Sequence, residues 1–383
     1  MVIYDSFPEP IGSYTVGRTQ MDFTYTASDK SERELTAFFF YPSDSNEGKP
    51  IAEYADPDLN KPRLELLSTM KGAIVEPLFP PGFKIWCYDD IALSGKEEKY
   101  PVLFYSHGAS ASPQLGTLFC QDLASVGYIV VAVGHLGSGV YKLTDGRLIR
   151  YTPDFTNDIM EFMKMATAAF MAEPSAMTEK LEWGRALEFS RDYASAPETV
   201  KFSRHAVLQR EDISHIADRL YDINEGDNDT VFKGRLKLEI GMGVFGHSFG
   251  GTTAAVVCRD DLRFVCGINF DGDMKGTYNS VISKPFMQLS TALAYNTNAH
   301  FLETAGEDSC VVIVDNVHHG DFGDSLFTGK VEAFRGSRDA METRDLIISY
   351  TKAFFDRYLL KEPTDLGDLK FTGVEVIKTP AAQ

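Results

Sequence analysis

The chain has 383 residues, of which 44% are hydrophobic, and a formal net charge of −18. This length suits one large globular domain with insertions or two ordinary domains, and the lack of low-complexity tracts argues against a disordered chain. The excess of Asp and Glu over Lys and Arg, 55 against 37, disfavours binding to nucleic acid or to an anionic membrane surface.

The N-terminal residues and the cysteines bear on cellular location. The first twenty residues lack the basic region and apolar core of a signal peptide, and no stretch reaches the roughly 18 apolar residues of a spanning helix. We expect a cytoplasmic protein without an integral membrane segment, or a secreted one whose signal has been removed. The five cysteines are widely spaced and form no CxxC pair, which predicts reduced, packed thiols.

The first half of the chain contains a strand pattern and then an alternating unit. "LTAFFFY" (35–41) is a β-rich run that Pro, Asp, Asn and Gly residues end. Further on, "PVLFYSHG" (101–108) and "YIVVAVGH" (128–135) are typical of buried strands, and "LFCQDLASVG" (118–127) between them has helical spacing. This order predicts a βαβ unit and a parallel sheet.

Residues 151–235 lose the strand pattern and show helical spacing instead, which predicts a helical cap over one end of the sheet. The cap carries five of the chain's 12 methionines. Ordinary helix packing explains methionines at this spacing, and the functional alternative is a flexible lid over an apolar substrate. On that alternative, Met160 and Met163 are candidate substrate-binding residues.

The alternation of strands and helices returns after the cap and continues to an amphipathic helix near residues 339–359. Parallel strands separated by helices, with a helical insertion, predict an α/β-hydrolase fold: a mostly parallel central sheet flanked by helices, with a helical cap. We expect a single domain over 1–383 made of the following parts: an N-terminal β segment at about 10–45, a core at about 100–150 and 236–361, and the cap at 151–235.

The sequence "VFGHSFGG" places Ser248 between Gly246 and Gly250, directly after an apolar run and before the helix-forming "TTAAVV". A strand, a tight turn and a helix form the context in which a Gly-x-Ser-x-Gly pattern makes a nucleophile elbow. The glycines leave room for the two sides of the turn, which holds the serine hydroxyl above the sheet end. Ser248 is therefore the predicted nucleophile.

A catalytic serine needs a histidine as base and a carboxylate that orients it, and in this fold both follow the serine along the chain. Of the histidines after Ser248, His300 lies in a polar segment, whereas His318 and His319 follow the last strand-like run. One of this adjacent pair is the predicted base, and the local pattern leaves the choice between them open.

Two aspartates follow the strand-like run "RFVCGINF". Asp271 stands directly at the strand end, where it can point along the sheet toward a histidine, and it is the predicted acid. Asp273 is interpreted as a solvated loop charge.

An oxyanion hole needs two backbone donors, one after the nucleophile and one after an early strand. Phe249 and Ala109, the latter in "SHGAS", are the predicted donors. His107 in the same segment is interpreted as a structural histidine near the site. His107 and His247 are also candidates for substrate binding.

The segment "HHGDFGD" (318–324) raises the alternative of a metal site. The chain contains no HExxH pattern and no second His/Asp cluster placed with it, and it lacks phosphate-cradling and dinucleotide-binding glycine patterns. We therefore expect no metal and no cofactor.

Five segments taken together, "YPVLFYSHGAS", "QDLASVGYIVVAVGH", "VFGHSFGGTTAAVV", "RFVCGINFDGD" and "VHHGDFGD", resemble the platelet-activating-factor acetylhydrolase family of serine-dependent acyl hydrolases. The resemblance covers most of the chain and is weakest in the cap. It implies Ser248 as nucleophile, Asp271 as acid, and Phe249 and Ala109 as oxyanion donors.

The histidine motif of this family is His-x-x-Phe-x-Asp, which matches His319, Phe322 and Asp324 by spacing and favours His319. In the family a valine usually precedes the histidine directly, and Val317 favours His318 instead. We expect His319 as the base, with His318 as the alternative. The family also commonly has Arg-Asp after its second strand motif, where this chain has "GHLGSG" (134–139).

The resemblance implies hydrolysis of short or oxidised acyl esters, such as phospholipids like platelet-activating factor, or of other small lipophilic esters. The predicted partner is thus a small-molecule ester, including a lipid. Two alternatives remain: an amidase, peptidase or polyester hydrolase with the same three residues, and a non-catalytic ligand-binding protein on the same fold.

Overall fold

The structure, a computed structural model, describes residues 4–68, 79–226, 230–277, 279–329 and 335–379. The strands found in these ranges are β1 (Thr15–Thr26), β2 (Glu32–Ser43), β3 (Cys87–Asp89), β4 (Val102–Ser106), β5 (Ile129–Gly134), β6 (Tyr141–Lys142), β7 (Leu148–Ile149), β8 (Met242–His247), β9 (Phe264–Phe270), β10 (Phe286–Ser290), β11 (Cys310–Val314) and β12 (Val374–Lys378). The helices are α1 (Asn60–Ser68), α2 (Thr117–Ser125), α3 (Pro153–Ala172), α4 (Ser175–Thr178), α5 (Trp183–Ser195), α6 (Pro197–Glu225), α7 (Phe249–Asp260), α8 (Ala292–Asn298), α9 (Phe301–Thr304), α10 (Ser325–Thr328) and α11 (Ala340–Tyr358).

Ten of these strands form one sheet in the order β12-β11-β10-β9-β8-β4-β5-β2-β1-β3. The strands from β5 to β11 in this order pair in parallel, whereas β2 pairs antiparallel with β5 and β12 pairs antiparallel with β11. The winding direction reverses between β4 and β8, and ligand sites of open α/β sheets lie at the carboxyl ends of strands at such a reversal. The fold is that of an α/β-hydrolase, as predicted.

The strand sequences follow from their positions in the sheet. β4, β5 and β11 are buried along their whole length, which is why they are continuous apolar runs. Two apolar cores lie on the two faces of the sheet. All five cysteines are buried free thiols.

The helices α3 to α6 lie within the segment predicted as the cap. α3 begins at Pro153, whose missing N–H suits a first turn, after Thr152 whose hydroxyl accepts the N–H of Phe155. α6 ends at Gly226 with φ of 103°, a left-handed conformation that glycine adopts freely. No helix in the described part of the chain combines the length and apolar character needed to cross a bilayer.

The pattern-based strands and helices of the core agree with the structure, and the paired strands β1 and β2 lie within the expected N-terminal β segment. One feature goes beyond the prediction: β12 extends the sheet beyond residue 361, where the predicted core ended. The helix α6 packs closely against α7 of the core, so the structure does not separate a cap from a core. The division of the chain into these two parts stays a prediction.

Candidate active site

Ser248 lies on a sharp turn between β8 and α7. Its φ of 57° and ψ of −125° are unfavourable for a residue with a side chain, and its N–H donates to the carbonyl of Phe270 at 2.9 Å. A Cβ atom at Gly246 would lie 2.2 Å from the carbonyl oxygen of Gly250, and one at Gly250 would lie 2.0 Å from that of Ser106. Both glycines are therefore required for the strands and helix to approach, and Ser248 takes the strained position between them.

Asp271 lies directly after β9, the strand next to that of Ser248. Its φ of 51° turns the chain at the strand end, and it is only 4% exposed. Its Oδ1 accepts the backbone N–H of Thr291 at 2.6 Å and the Thr291 hydroxyl at 2.8 Å. Thr291 follows β10, and sequence reasoning did not identify it. These bonds hold one carboxylate oxygen and leave Oδ2 for another partner.

That partner is His319, whose Nδ1 lies 2.8 Å from Oδ2 of Asp271. Burial lowers the pKa of His319, but the hydrogen bond and charge of Asp271 raise it more, so that the pKa lies above the ordinary histidine value. The His319 side chain is 52% exposed. His318 is exposed, and its backbone N–H donates to Asp321 at 2.7 Å. The geometry thus pairs His319, and not His318, with Asp271.

His247, directly before Ser248, joins the serine turn to the histidine segment. Its Nε2–H donates to the carbonyl of His319 at 2.9 Å, and the two rings lie 4.6 Å apart. Burial and the nearby His319 lower the pKa of His247 to about 3, so the ring is neutral near pH 7. This contact ties the backbone of His319 to the turn that carries Ser248.

The segment that carries His319 is held at its other end by Asp324. This buried carboxylate accepts the N–H groups of Thr117 and Leu118 at 3.1 and 2.9 Å, at the start of α2. The Tyr54 hydroxyl donates to it at 2.5 Å. A carboxylate at a helix N-terminus is favoured by the free N–H groups there. Asp324 therefore fixes the histidine segment to the core.

The two predicted oxyanion donors lie in segments next to Ser248. Phe249 is the first residue of α7, so its N–H has no acceptor within the helix. Gly108 packs against the serine, since a Cβ there would lie 3.1 Å from Cβ of Ser248. Ala109 follows it, and the chain then turns through Ser110, whose φ is 57° and whose N–H donates to Ser138 at 2.9 Å.

His107 is fully buried and does not fit the predicted role in substrate binding. Its Nδ1 lies 2.8 Å from the carbonyl of Gly108, and its Nε2 accepts the N–H of His135 at 3.3 Å. Burial lowers its pKa to about 3. Both ring nitrogens are thus used within the protein, which agrees with the alternative interpretation of His107 as a structural histidine.

His135 belongs to a second constellation of Ser, His and Asp that sequence reasoning did not identify. Its Nε2 lies 3.0 Å from the Ser106 hydroxyl and its Nδ1 lies 3.0 Å from Oδ2 of Asp212 on α6. All three residues are fully buried. Arg33 also binds Asp212, at 2.5 and 2.7 Å. The network ties the cap helix α6 to the ends of β4 and β5.

Two helices of the cap place aromatic residues next to Phe249, one of the two predicted oxyanion donors. The ring of Phe202 on α6 stacks on Phe249 with centroids 4.7 Å apart, and Phe155 on α3 lies 6.4 Å from Phe249. Met160 and Met163 are 38% and 42% exposed and stand apart from this buried cluster. Phe155 and Phe202, rather than the two methionines, are the cap side chains that contact Phe249.

One group of potential metal ligands occurs among the described residues, away from the "HHGDFGD" segment. Asp154, Asp158 and His205 bring ligand atoms within 4.8 Å of one another. Lys201 lies 3.0 Å from Asp158, and Arg204 lies 2.7 Å from both carboxylates. These cations already neutralise the carboxylates, so the group fits an ion-pair cluster between α3 and α6 better than a metal site.

Comparison with known proteins gives one family and one fold. The sequence profile described as "Platelet-activating factor acetylhydrolase, isoform II" matches residues 4–142 and 164–375. The chain is 24% identical to platelet-activating factor acetylhydrolase of Cavia porcellus, over 93% of this chain and 78% of the relative. It is also 24% identical to that of Canis lupus familiaris, over 96% and 80%. A ferulic acid esterase from Streptomyces cinnamoneus has the same fold, with a TM-score of 0.70, 20% identity and coverage of 97% and 99%.

Proposed function

Because this chain belongs to the platelet-activating factor acetylhydrolase, isoform II, family and is a carboxylic ester hydrolase, we propose that Ser248, His319 and Asp271 carry out the hydrolysis. The observation that carries this proposal is the 2.8 Å bond from His319 to Asp271 beside a serine on a strained turn. Nucleophile, base and acid follow strands β8, β11 and β9 at one edge of the sheet.

In the proposed reaction, Nε2 of His319 accepts the proton of Ser248 as the serine oxygen attacks the ester carbonyl. The N–H groups of Phe249 and Ala109 stabilise the oxyanion. His319 then gives the proton to the alcohol oxygen, which leaves, and an acyl-enzyme remains. Water attacks the acyl group while His319 takes its proton and returns it to Ser248, so that acid and free serine are the products.

Short acyl esters of phospholipids or of other small lipophilic alcohols are the proposed substrates. The named activity of the relatives supports an acetyl-sized acyl group.

Covalent labelling tests the nucleophile. A fluorophosphonate probe followed by peptide mass spectrometry should modify Ser248 in the native protein and not in Ser248→Ala. Ser106→Ala is the matched control, because Ser106 also bonds a histidine but is fully buried. It should label as the native protein does. Labelling at another serine, or labelling that survives His319→Ala, would contradict the assignment.

Substrate class is tested with p-nitrophenyl esters of two to eight carbons, matched anilides, methyl ferulate and platelet-activating factor. We expect kcat/KM to be highest for the two- to four-carbon esters and to fall steeply for longer chains and for anilides. Anilides cleaved as fast as esters would favour an amidase, and a preference for ferulate would favour an aromatic acyl group.

A further inference from the structure

A buried lysine lies close to the proposed active site. Lys275 follows Asp271 by four residues, in a short helical turn at Lys275–Thr277. Its side chain is 4% exposed, and its Nζ lies 2.5 Å from Oδ1 of Asp273. Asp273 is itself only 15% exposed in its side chain, so its interpretation as a solvated loop charge was wrong.

The ammonium group of Lys275 lies among three aromatic rings. Its distances to the ring centroids are 4.3 Å for Phe162, 5.2 Å for Phe202 and 5.3 Å for Phe249. The rings belong to α3, α6 and α7, and thus to two cap helices and the helix that begins at the oxyanion donor. Cation–π attraction is strongest in such a desolvated position. The ammonium group of Lys275 therefore links two cap helices to α7, which begins at Phe249.

A buried charge carries a desolvation cost that a methionine of similar size would not have, but the methionine would also lack the cation–π attraction to the three rings. Burial lowers the pKa of Lys275, and Asp273 raises it only in part. The charge of Asp273 reaches the active site, where it adds to the effect of Asp271 on the pKa of His319. The titratable groups that face these residues are Asp271 and His247 around His319, and Tyr193 and His300 around Asp273.

We propose that Lys275 is a positioning residue for ester hydrolysis, which packs the cap rings over Phe249 and neutralises Asp273. Because Lys275 neutralises Asp273, Asp271 is the carboxylate that orients His319. This inference rests on the proposed role of His319 as the base. It predicts that the pair Lys275 and Asp273 sets the pH range of activity although neither residue touches the reacting atoms.

The test is the pH profile of kcat/KM for p-nitrophenyl acetate in Lys275→Met, Asp273→Asn and the double variant. Lys275→Met leaves an uncompensated carboxylate and should raise the acid limb by about 0.5–1 pH unit. Asp273→Asn removes the negative charge that raises the pKa of His319 and should lower the limb by a similar amount, and the double variant, which lacks both charges, should lie well below Lys275→Met. Lys275→Arg keeps the charge and should shift the limb least.

Lys284→Met is the matched control. Lys284 is a half-buried lysine whose Nζ donates to the carbonyl of Asp261 at 2.7 Å, before the start of β10 and thus at the other end of the sheet. It should leave the acid limb unchanged. Amide hydrogen exchange in α3 should rise in Lys275→Met and stay native in Asp273→Asn, because only the first change empties the aromatic cage of its cation.

Shifts in the same direction for Lys275→Met and Asp273→Asn, or no shift in either, would overturn the inference. If Lys275→Met does not fold, Asp273→Asn alone decides, because an acid limb that does not move downward contradicts the proposed charge balance. Failure of the proposed active site is distinguishable, since fluorophosphonate labelling would then not depend on Ser248 and His319 in the native background.

Discussion

Two histidines of this protein bind an aspartate through Nδ1 near a serine. His319 binds Asp271 at 2.8 Å beside the turn of Ser248, and His135 binds Asp212 at 3.0 Å with Ser106 at its other nitrogen. The first set and the Ser106 and His135 of the second lie at the carboxyl ends of strands in the same sheet, whereas Asp212 comes from the cap helix α6. The residue types and the His–Asp distances are therefore nearly the same in the two regions.

Access, backbone geometry and charge differ between the two sets. Ser106 ends a regular strand and is fully buried, whereas Ser248 is partly exposed on a turn with positive φ. Arg33 neutralises Asp212, whereas Asp271 receives uncharged donors from Thr291. Burial therefore lowers the pKa of His135, while Asp271 holds that of His319 above the ordinary value. An accessible serine and an uncompensated carboxylate distinguish a candidate active site from a buried polar network.

The largest expected effect separates His319 from its neighbour. His319→Ala should lower kcat about a millionfold, since loss of the base removes most of the chemistry of the set. His318→Ala should stay within about tenfold of the native kcat, because His318 is exposed and Asp271 binds the other histidine. Ester hydrolysis with thermal unfolding as a folding control measures both. The opposite ranking would make His318 the base.

Substitution of Asp271 should affect mainly catalysis, whereas substitution of Asp212 should affect mainly stability. Asp271→Asn should lower kcat about ten-thousandfold with little loss of stability, because the amide no longer orients the required tautomer. Asp212→Asn should instead lower the free energy of unfolding by about 3–5 kcal/mol, because it breaks a buried pair with Arg33. Urea unfolding and kcat per labelled active site separate these outcomes. A large loss of kcat per active site in Asp212→Asn would remove the distinction between the regions.

The smallest effect concerns pH. His319 acts as a base when neutral, so kcat/KM should be lost as the pH falls through a pKa above about 6.5. The ion pair of protonated His319 with Asp271 affects stability in the opposite sense. It stabilises the folded protein below the pKa that His319 has in the unfolded chain, and this stabilisation is lost as the pH rises through the raised pKa of the folded protein. Asp212→Asn should not move this limb. An acid limb at or below 6.5 in the native protein would contradict the strong coupling to Asp271.

Local pattern was enough where a chemical requirement is written in consecutive residues. Glycines two residues before and after Ser248 predict the turn that carries it. The place of Asp271 directly after a strand-like run made it the predicted acid. The choice between His318 and His319 could not be made in this way, because it depends on how the segment after β11 turns. That turn is set by Asp324 at the start of α2, two hundred residues away in sequence.

Polar residues with distant partners were the hardest to interpret. His107 was interpreted both as a structural histidine and as a substrate-binding candidate, and it is fully buried. Asp273 was interpreted as a solvated loop charge, and it is largely shielded by its ion pair with Lys275. Thr291, Lys275 and Asp212 carry no local signal at all, since an isolated threonine, lysine or aspartate is usually solvated. The contacts of Lys275 and Asp212 exist only when the cap meets the strand ends, and that of Thr291 exists only when the ends of β9 and β10 meet.

The amino-acid sequence by itself determined the α/β-hydrolase fold, the turn at Ser248 and the strand that carries Asp271, because apolar periodicity and glycine spacing act over a few neighbouring residues. Only the tertiary structure decided which histidine meets Asp271, which carboxylates are neutralised, and which of two Ser, His and Asp sets is accessible. The choice of histidine, the neutralisation of carboxylates and the access to each set depend on desolvation and on contacts between side chains from distant segments. No short stretch of the chain determines either the desolvation or these contacts.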